Sequence, residues 1–421
     1  MIHNFKTKTK IMSFRALKKV DEDLTRHKEK FDAKKIKLVG FISFLMGFAQ
    51  AFFVYVMSSY FKLSSGMENL GLFYVVAYVV TLIILLNFHK IVRKWGKSTV
   101  FYFSLVFKIA VISFLMNINP SYWGVGLVML YIIFGNLEWV SLDIIIESFS
   151  ADKMSGRIRG RHLTILNAGF LVGPFLSTMI LEKFNFQLVF LLLFVFNCLI
   201  LLISILGFRK VNHKFDLDLS VTDVIKKIWQ RKNILRIYYI SFVLEFFYAL
   251  LVIFVPIYLL DLGIDWKGIG IIFTVMLLPF VFLQYPMGFL ADKRWGEKEF
   301  IIVSIIFMFL STSVVYFISS ASIALWSIVL LSTRIGAAML EVLRDSYFYK
   351  RIDGHDVDLI NFFRTAMPMG YILASSISVL LLLFFPVKSV FLAASLVVFS
   401  ALWPAIFLVD NKCEKELRRN C

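Results

Sequence analysis

The chain has 421 residues, of which 59% are hydrophobic, 46 are Phe and 17% are charged. A soluble domain carries about 45–50% apolar residues, and here the excess is gathered in runs too long and too frequent for a set of soluble domains. The formal net charge of +17 would suit nucleic acid if it lay on one face or arm. It recurs instead in alternate breaks between the apolar runs, which is a membrane-topology pattern, so no nucleic-acid partner is expected.

Residues 1–36 form a Lys-rich arm without the short apolar core and small-residue cleavage site of a signal peptide. Ile11, Phe14, Leu17 and Leu24 hint at an amphipathic helix within it. A bilayer core needs about twenty apolar residues per helix, and on that ruler residues 37–208 hold six spans, beginning near Lys37, Glu68, Thr99, Tyr122, Leu163 and Gln187. In span five Asn167 opens a run in which Gly169 and Gly173 stand four apart and Pro174 follows. Small residues at that spacing let helices approach closely, and Pro removes a backbone hydrogen bond.

A polar link, residues 209–236, divides the chain. From Ser220 its Val221, Val224, Ile225 and Ile228 recur at helical spacing, with Lys226, Lys227, Arg231 and Lys232 on the other side. That pattern predicts a helix lying along the inner membrane surface. Residues 237–409 hold six more spans, beginning near Ile237, Gly268, Phe300, Ser322, Leu359 and Val387, and residues 410–421 are a tail. The Lys and Arg residues lie in the arm, the link, the tail and the loops carrying Arg93, Arg157, Lys293 and Lys350, whereas the opposite loops hold Lys62, Lys183, Lys267 and Lys388. Both termini are therefore expected in the cytoplasm, on an integral multi-pass protein of the cytoplasmic or plasma membrane.

An ionisable residue inside hydrocarbon is costly and is a functional candidate by default. Within the spans stand Lys108, Glu138, Asp143, Glu245, Arg334 and Glu341, while Glu147, Arg344, Asp345 and Arg364 lie close enough to the cytoplasmic ends to reach the interface. Tyr238, Ser241, Glu245 and Tyr248 recur at steps of three, four and three, a polar stripe along span seven. Ser43, Gly47, Gln50 and Ser58 do much the same in span one. A Glu245–Arg334 pair would either serve a site or hold spans seven and ten together. The in-span charge is net negative, which favours cationic or neutral cargo. No metal-ligand spacing, nucleophile elbow or phosphate-cradling loop occurs, so neither an enzyme nor a cofactor is expected.

Gly288 to Lys298 (GFLADKRWGEK) has a weaker echo in His89 to Lys97 (HKIVRKWGK), with Trp295-Gly296 lying 200 positions after Trp95-Gly96. A repeat of that period makes the chain two similar halves, arranged as parallel repeats. The loop resembles the signature of the major facilitator superfamily: Gly288, Asp292, Lys293, Gly296 and Lys298 fill its positions, with the second Gly one residue late. The first copy has Asn87 in place of the Gly and Val92 in place of the Asp.

The resemblance implies an all-α membrane fold of twelve helices in two pseudo-symmetric six-helix bundles. It places Gln50, Glu138, Tyr238, Glu245, Tyr248, Arg334 and Glu341 on a substrate and proton pathway, because the first helix of each group of three lines the cavity. Lys108, on a supporting helix, reads as structural or snorkelling. The motif loop is expected to pack against the start of span five, where Asp292 would meet Arg159 and Arg161. The run through Gly169, Gly173 and Pro174 is similar to the span-five motif of the drug–proton antiporters, although Ser177 and Thr178 replace its closing glycines. The implied activity is secondary transport of a small molecule by alternating access, as proton-coupled efflux of an amphipathic compound by a monomer. The alternatives are proton-coupled uptake of a sugar or organic anion and, from another class, a non-transporting sensor or a lipid-modifying enzyme.

Overall fold

The computed structural model describes residues 33–67, 70–147, 155–207, 229–352 and 357–411. The arm up to residue 32 and the amphipathic stretch from Ser220 to Ile228 lie outside those residues. Among the described residues ten helices are long and apolar enough to cross a membrane. They are span one (Lys37–Ser65), three (Lys97–Asn117), four (Tyr122–Glu147), five (Ser155–Lys183) and six (Phe186–Gly207) in the first half. In the second half they are span seven (Lys232–Asp261), eight (Trp266–Lys293), nine (Lys298–Val315), ten (Ile323–Tyr349) and twelve (Ser389–Ile406).

Spans two and eleven are each broken, which is why they fall short of the ruler. Span two is Gly71–Leu86 and Phe88–Trp95, joined at Asn87, whose side-chain amide donates to the Ile83 carbonyl. Span eleven is Val357–Arg364 and Ala366–Leu381. At its break Thr365 donates from both backbone N–H and Oγ1 to the Phe362 carbonyl, and Pro368 just beyond has no N–H to give. With these two the element count agrees with the twelve spans read from the sequence. Spans five and seven start earlier than hydropathy alone indicates, at Ser155 and Lys232, because their first turns are charged but still helical. Polar caps start spans eight and ten, where Asp265 accepts from Gly268 N and Ser322 from Leu325 N.

Helices before residue 208 pack chiefly on one another, span one on five and six and span three on four and six; those after residue 228 do likewise, span seven on eleven and nine on ten. The two sets meet along a seam in which span five runs against eight and ten, and span two against eleven. Close approach of spans one and five is licensed by glycine. A Cβ on Gly169 would stand 2.1 Å from the Phe44 carbonyl oxygen, and one on Gly47 2.2 Å from that of Leu166.

The GFLADKRWGEK motif lies at one end of the bundle, called here the motif end. Residues Ala291–Trp295 form a single π turn closed by Gly296 N donating to the Ala291 carbonyl. Gly296 has φ +76° and a Cβ there would collide with the Asp410 carboxylate, so glycine is required twice over. Asp410 accepts from the backbone N–H groups of Glu297 and Lys298 at 3.0 and 3.2 Å, capping span nine. Tyr347 Oη and Arg351 donate to the Val409 carbonyl, and Asn411 Nδ2 to Glu297 Oε2. The stretch that leaves span twelve is thereby clasped onto the motif loop.

Candidate functional site

The polar stripe on span seven meets spans ten and eleven residue by residue. Tyr238 Oη is 3.0 Å from Thr365 Oγ1, at the break in span eleven, and its ring packs on Phe362. Ser241 Oγ and Glu245 Oε1 both accept from Arg344, at 2.7 and 2.8 Å. Tyr248, one turn further on, lies under the guanidinium of Arg334. The cation that holds Glu245 is therefore Arg344, not Arg334. Arg344 and Asp345 do not reach the interface: they are 3% and 2% exposed, because helix rotation turns both into the seam, where partners compensate their charge.

Two polar chains cross the seam on the motif-end side. Arg364 Nε lies 2.6 Å from Asp143 Oδ2 in span four, and Arg364 Nη2 donates to Asp345 Oδ2 at 3.1 Å. Asn167 Nδ2 in span five donates to Gln284 Oε1 at 3.0 Å, and Gln284 Nε2 donates in turn to Glu341 Oε2 at 2.7 Å. Glu138, fully buried in span four, is ion-paired and hydrogen-bonded with Lys108 of span three, which is 6% exposed. Lys108 is thus paired inside the first set of helices and does not snorkel.

These pairings remove charge selectively. Glu138, Glu245, Asp143 and Asp345 each face a cation. Two in-span charges have no ion pair among the described residues. Glu341 is held by the neutral Gln284 amide. Arg334 is 2% exposed, with its Nε unpartnered and its guanidinium 5.3 and 5.4 Å from the ring centroids of Phe247 and Tyr248. A buried unpaired ion costs several kcal/mol, and each aromatic face returns about 0.5–2 kcal/mol. Buried atoms without a hydrogen-bond partner also occur elsewhere among the described residues, at Asn197 and Asn361 for example, so it is the charge of Arg334 that distinguishes this place. Gln50 Oε1 and Tyr248 Oη are likewise buried without such a partner.

Gln50, Tyr248 and Arg334 all stand near the middle of their helices, so the unpartnered groups of spans one, seven and ten lie at one level. Sequence reasoning missed the tyrosines around them. Tyr55 interacts electrostatically with Arg334 and Glu341, and Tyr371 with Glu245 and Tyr55. Tyr371 stacks on Tyr78 across the seam at 4.2 Å, and Tyr55 packs on Phe273 at 4.8 Å. Tyr55 falls outside the spaced polar stripe of span one, and the segments Gly71–Leu86 and Ala366–Leu381 that carry Tyr78 and Tyr371 hold no charge to draw attention.

Of the span-five residues, Gly169 and Gly173 are taken up by contact with span one, a Cβ on Gly173 standing 2.7 Å from that of Ala51. The Pro174 carbonyl accepts from Ser177 and Thr178. In the motif loop Gly288 is buried, Lys293 is exposed over the Phe289 ring, and Asp292 is held by Lys350 at 2.7 Å. Arg161 is exposed. The start of span five does pack on the end of span eight, with Gly160 against the backbone of Gln284 and Tyr285. Burial raises the pKa of Glu297 above the usual carboxylate value, against the opposing pull of Lys350. Burial works against the Lys350 ammonium, but Glu297 and Asp292 together hold its pKa above the ordinary lysine value. Among the described residues no group of His, Cys, Asp and Glu is arranged to hold a metal ion.

Comparison with known proteins agrees with this architecture. The sequence profile of the Major Facilitator Superfamily matches residues 36–356 and 267–420. No curated protein matches the chain. Among solved structures, the fold is similar to that of the human organic anion transporter MFSD10 (TETRAN), with a TM-score of 0.65 at 10% identity, covering 88% of this chain and 99% of that one. It is also similar to the superfamily transporter FucP in the outward conformation, with a TM-score of 0.68 at 11% identity, covering 89% and 99%. Twelve apolar elements, a seam crossed by buried polar groups and a profile match over the greater part of the sequence lead to one assignment: the chain belongs to the Major Facilitator Superfamily and is an integral, multi-pass membrane transporter.

Proposed function

We propose that the protein moves an amphipathic small molecule across the membrane by alternating access, coupled to protons and working in the direction of export as a monomer. The bundles 37–208 and 237–409 rock about the mid-helix level where Gln50, Tyr248 and Arg334 stand, with the motif end facing the cytoplasm. The observation that carries proton coupling is the bonding of Glu341. A carboxylate locked to a cation cannot change protonation without breaking its pair. Glu341 is bonded to an amide, and a protonated carboxyl still offers that amide a carbonyl oxygen. Because Gln284 also accepts from Asn167 across the seam, a proton on Glu341 alters the grip between spans five, eight and ten.

The test is reconstitution into liposomes loaded with a pH-sensitive dye, followed by addition of labelled amphipathic compounds. Export coupling predicts cargo and protons moving in opposite directions, and Glu341→Gln abolishing the proton signal while cargo–cargo exchange persists. Movement in the same direction would replace export by uptake. Cargo flux without proton movement would remove the coupling.

A further inference from the structure

We propose that Arg334 is the anion-recognition point of the transport site, and that the cargo is an amphipathic organic anion whose carboxylate engages the Arg334 guanidinium while its apolar body lies against Phe247 and Tyr248. The inference rests on the transport reading above and adds the class of substrate.

The argument begins with a comparison inside the protein. Among the described residues three arginines stand in spans ten and eleven with little or no exposure, and two of them are spent. Arg344 donates to Ser241 and Glu245, and Arg364 to Asp345 and Tyr349 while facing Asp143. A guanidinium has five N–H donors in a fixed fork, and structural arginines use them. Among the described residues Arg334 makes no such bond: its contacts there are the two ring faces, which attract its charge without occupying an N–H. The Nε is buried without a hydrogen-bond partner in all three arginines, but in Arg344 and Arg364 it faces the carboxylates of Asp345 and Asp143. Among the described residues no carboxylate pairs with Arg334, whose fork is shaped to take one in the bidentate mode.

Glu341 does not fill that place. It lies seven residues along the same helix, a rise of about 10 Å, and is turned to Gln284. The neighbouring polar atoms fit an anion as well. Tyr248 Oη is buried and unpartnered, so its hydroxyl can donate to the same carboxylate. The rings that flank the cation supply the apolar wall an amphipath needs. The net-negative charge counted from sequence, which pointed to cationic cargo, shrinks once three of its four carboxylates are paired, Glu138 with Lys108, Glu245 with Arg344 and Asp143 with Arg364. What remains without an ion pair among the described residues is one cation, Arg334, and one carboxylate, Glu341, which the Gln284 amide holds.

Three probes of one shape separate the possibilities: 2-naphthoate, 2-naphthamide and 2-naphthylmethylammonium, titrated against the full-length protein in nanodiscs with thermal stabilisation as the readout. The wild type should respond to 2-naphthoate at concentrations at least about tenfold lower than to the other two. Arg334→Gln should erase that preference to within about twofold while leaving the response to 2-naphthamide in place. Arg334→Lys, which keeps the charge and loses the fork, should fall between and serves if Arg334→Gln does not fold. Equal response to acid and amide, preference for the ammonium, no response to any probe, or a preference that survives both variants would each overturn the proposal. Flux into liposomes separates this result from the transport reading. Arg334-dependent binding without flux leaves the subsite standing and sinks transport, whereas equal flux of acid and amide does the reverse.

Discussion

Arg364 holds Asp143 at 2.6 Å and Asp345 at 3.1 Å, so one guanidinium joins span four of the first half to span ten of the second. The pair Arg364–Asp143 crosses the seam, whereas Arg364–Asp345 lies within one set of helices. Opening the motif end must break the first and can keep the second.

Asp143→Asn should therefore favour states open at the motif end without unfolding the protein, because Arg364 retains Asp345. A hydrogen bond to a charged group contributes about 1.5–3 kcal/mol, and the partial exposure of both side chains places the effect at the lower end, about a tenfold shift in the open-to-closed ratio. Distance probes across the motif-end tips of spans four and eleven report it. An unchanged distribution would mean that this pair does not hold the gate.

Two buried glutamates should behave differently when neutralised. Glu341→Gln removes a group bonded to an amide and should uncouple transport with little loss of stability. Glu245→Gln takes from Arg344 its closest carboxylate and leaves it Ser241 and, at 3.6 Å, Asp345. The loss should approach but not reach that of a buried ion left with no partner, about 3–5 kcal/mol. It should appear as poor thermal stability and low yield before any question of coupling arises. Equal stability of the two variants would contradict the distinction.

Lys108 and Glu138 are the cleanest buried pair, since neither reaches the seam. Lys108→Met alone should destabilise by about 3–5 kcal/mol, and Lys108→Met with Glu138→Leu should recover most of that loss. Thermal unfolding of the purified protein measures both. Failure of the double variant to recover would show that one of the two has a second role.

The clasp at the motif end predicts an alkaline weakness. Lys350 has its pKa raised above 10.5 in the folded protein, so its contribution is whole below the unfolded value and is lost as pH rises through the folded one. Glu297, also raised, changes its contribution on the acid side, between its unfolded value of 4.5 and its folded one, so the alkaline edge belongs to Lys350. Lys350→Met should be less stable than the wild type at neutral pH, and the gap should narrow above about pH 10.5. A gap independent of pH would mean that the ammonium charge is not what holds the loop.

Orientation is checked by labelling. With Cys198, Cys413 and Cys421 replaced, cysteines at Ser121, Lys183 and Lys267 should react with an impermeant thiol reagent from outside, and one at Lys293 should not. Outside labelling at Lys293 would invert the assigned topology.

Much of the architecture was legible because hydropathy and charge are properties of single residues summed along a helix. The spans, the repeat, and Gln50, Tyr248 and Arg334 could be found that way. Partner choice could not. Arg334 and Arg344 are ten residues apart, close to three turns of the helix, and only tilt and rotation decide which one meets Glu245. The tyrosines at 55, 78 and 371 were hidden because an aromatic residue in an aromatic-rich span carries no signal of its own. The motif loop was recognised as a loop, but its dependence on Asp410 was invisible, since contacts over 113 residues leave no local pattern.

That last contact bears on how the protein is made. The motif loop emerges from the ribosome 113 residues before the carboxylate that caps it. At about 5–20 residues per second the loop waits on the order of ten seconds, through the synthesis and insertion of spans nine to twelve, with two backbone donors and the Gly296 turn unsupported. The loop is thus completed only after span twelve has been translated. A chain that stalls or is cut before Val409 would carry every span and still lack a finished motif end.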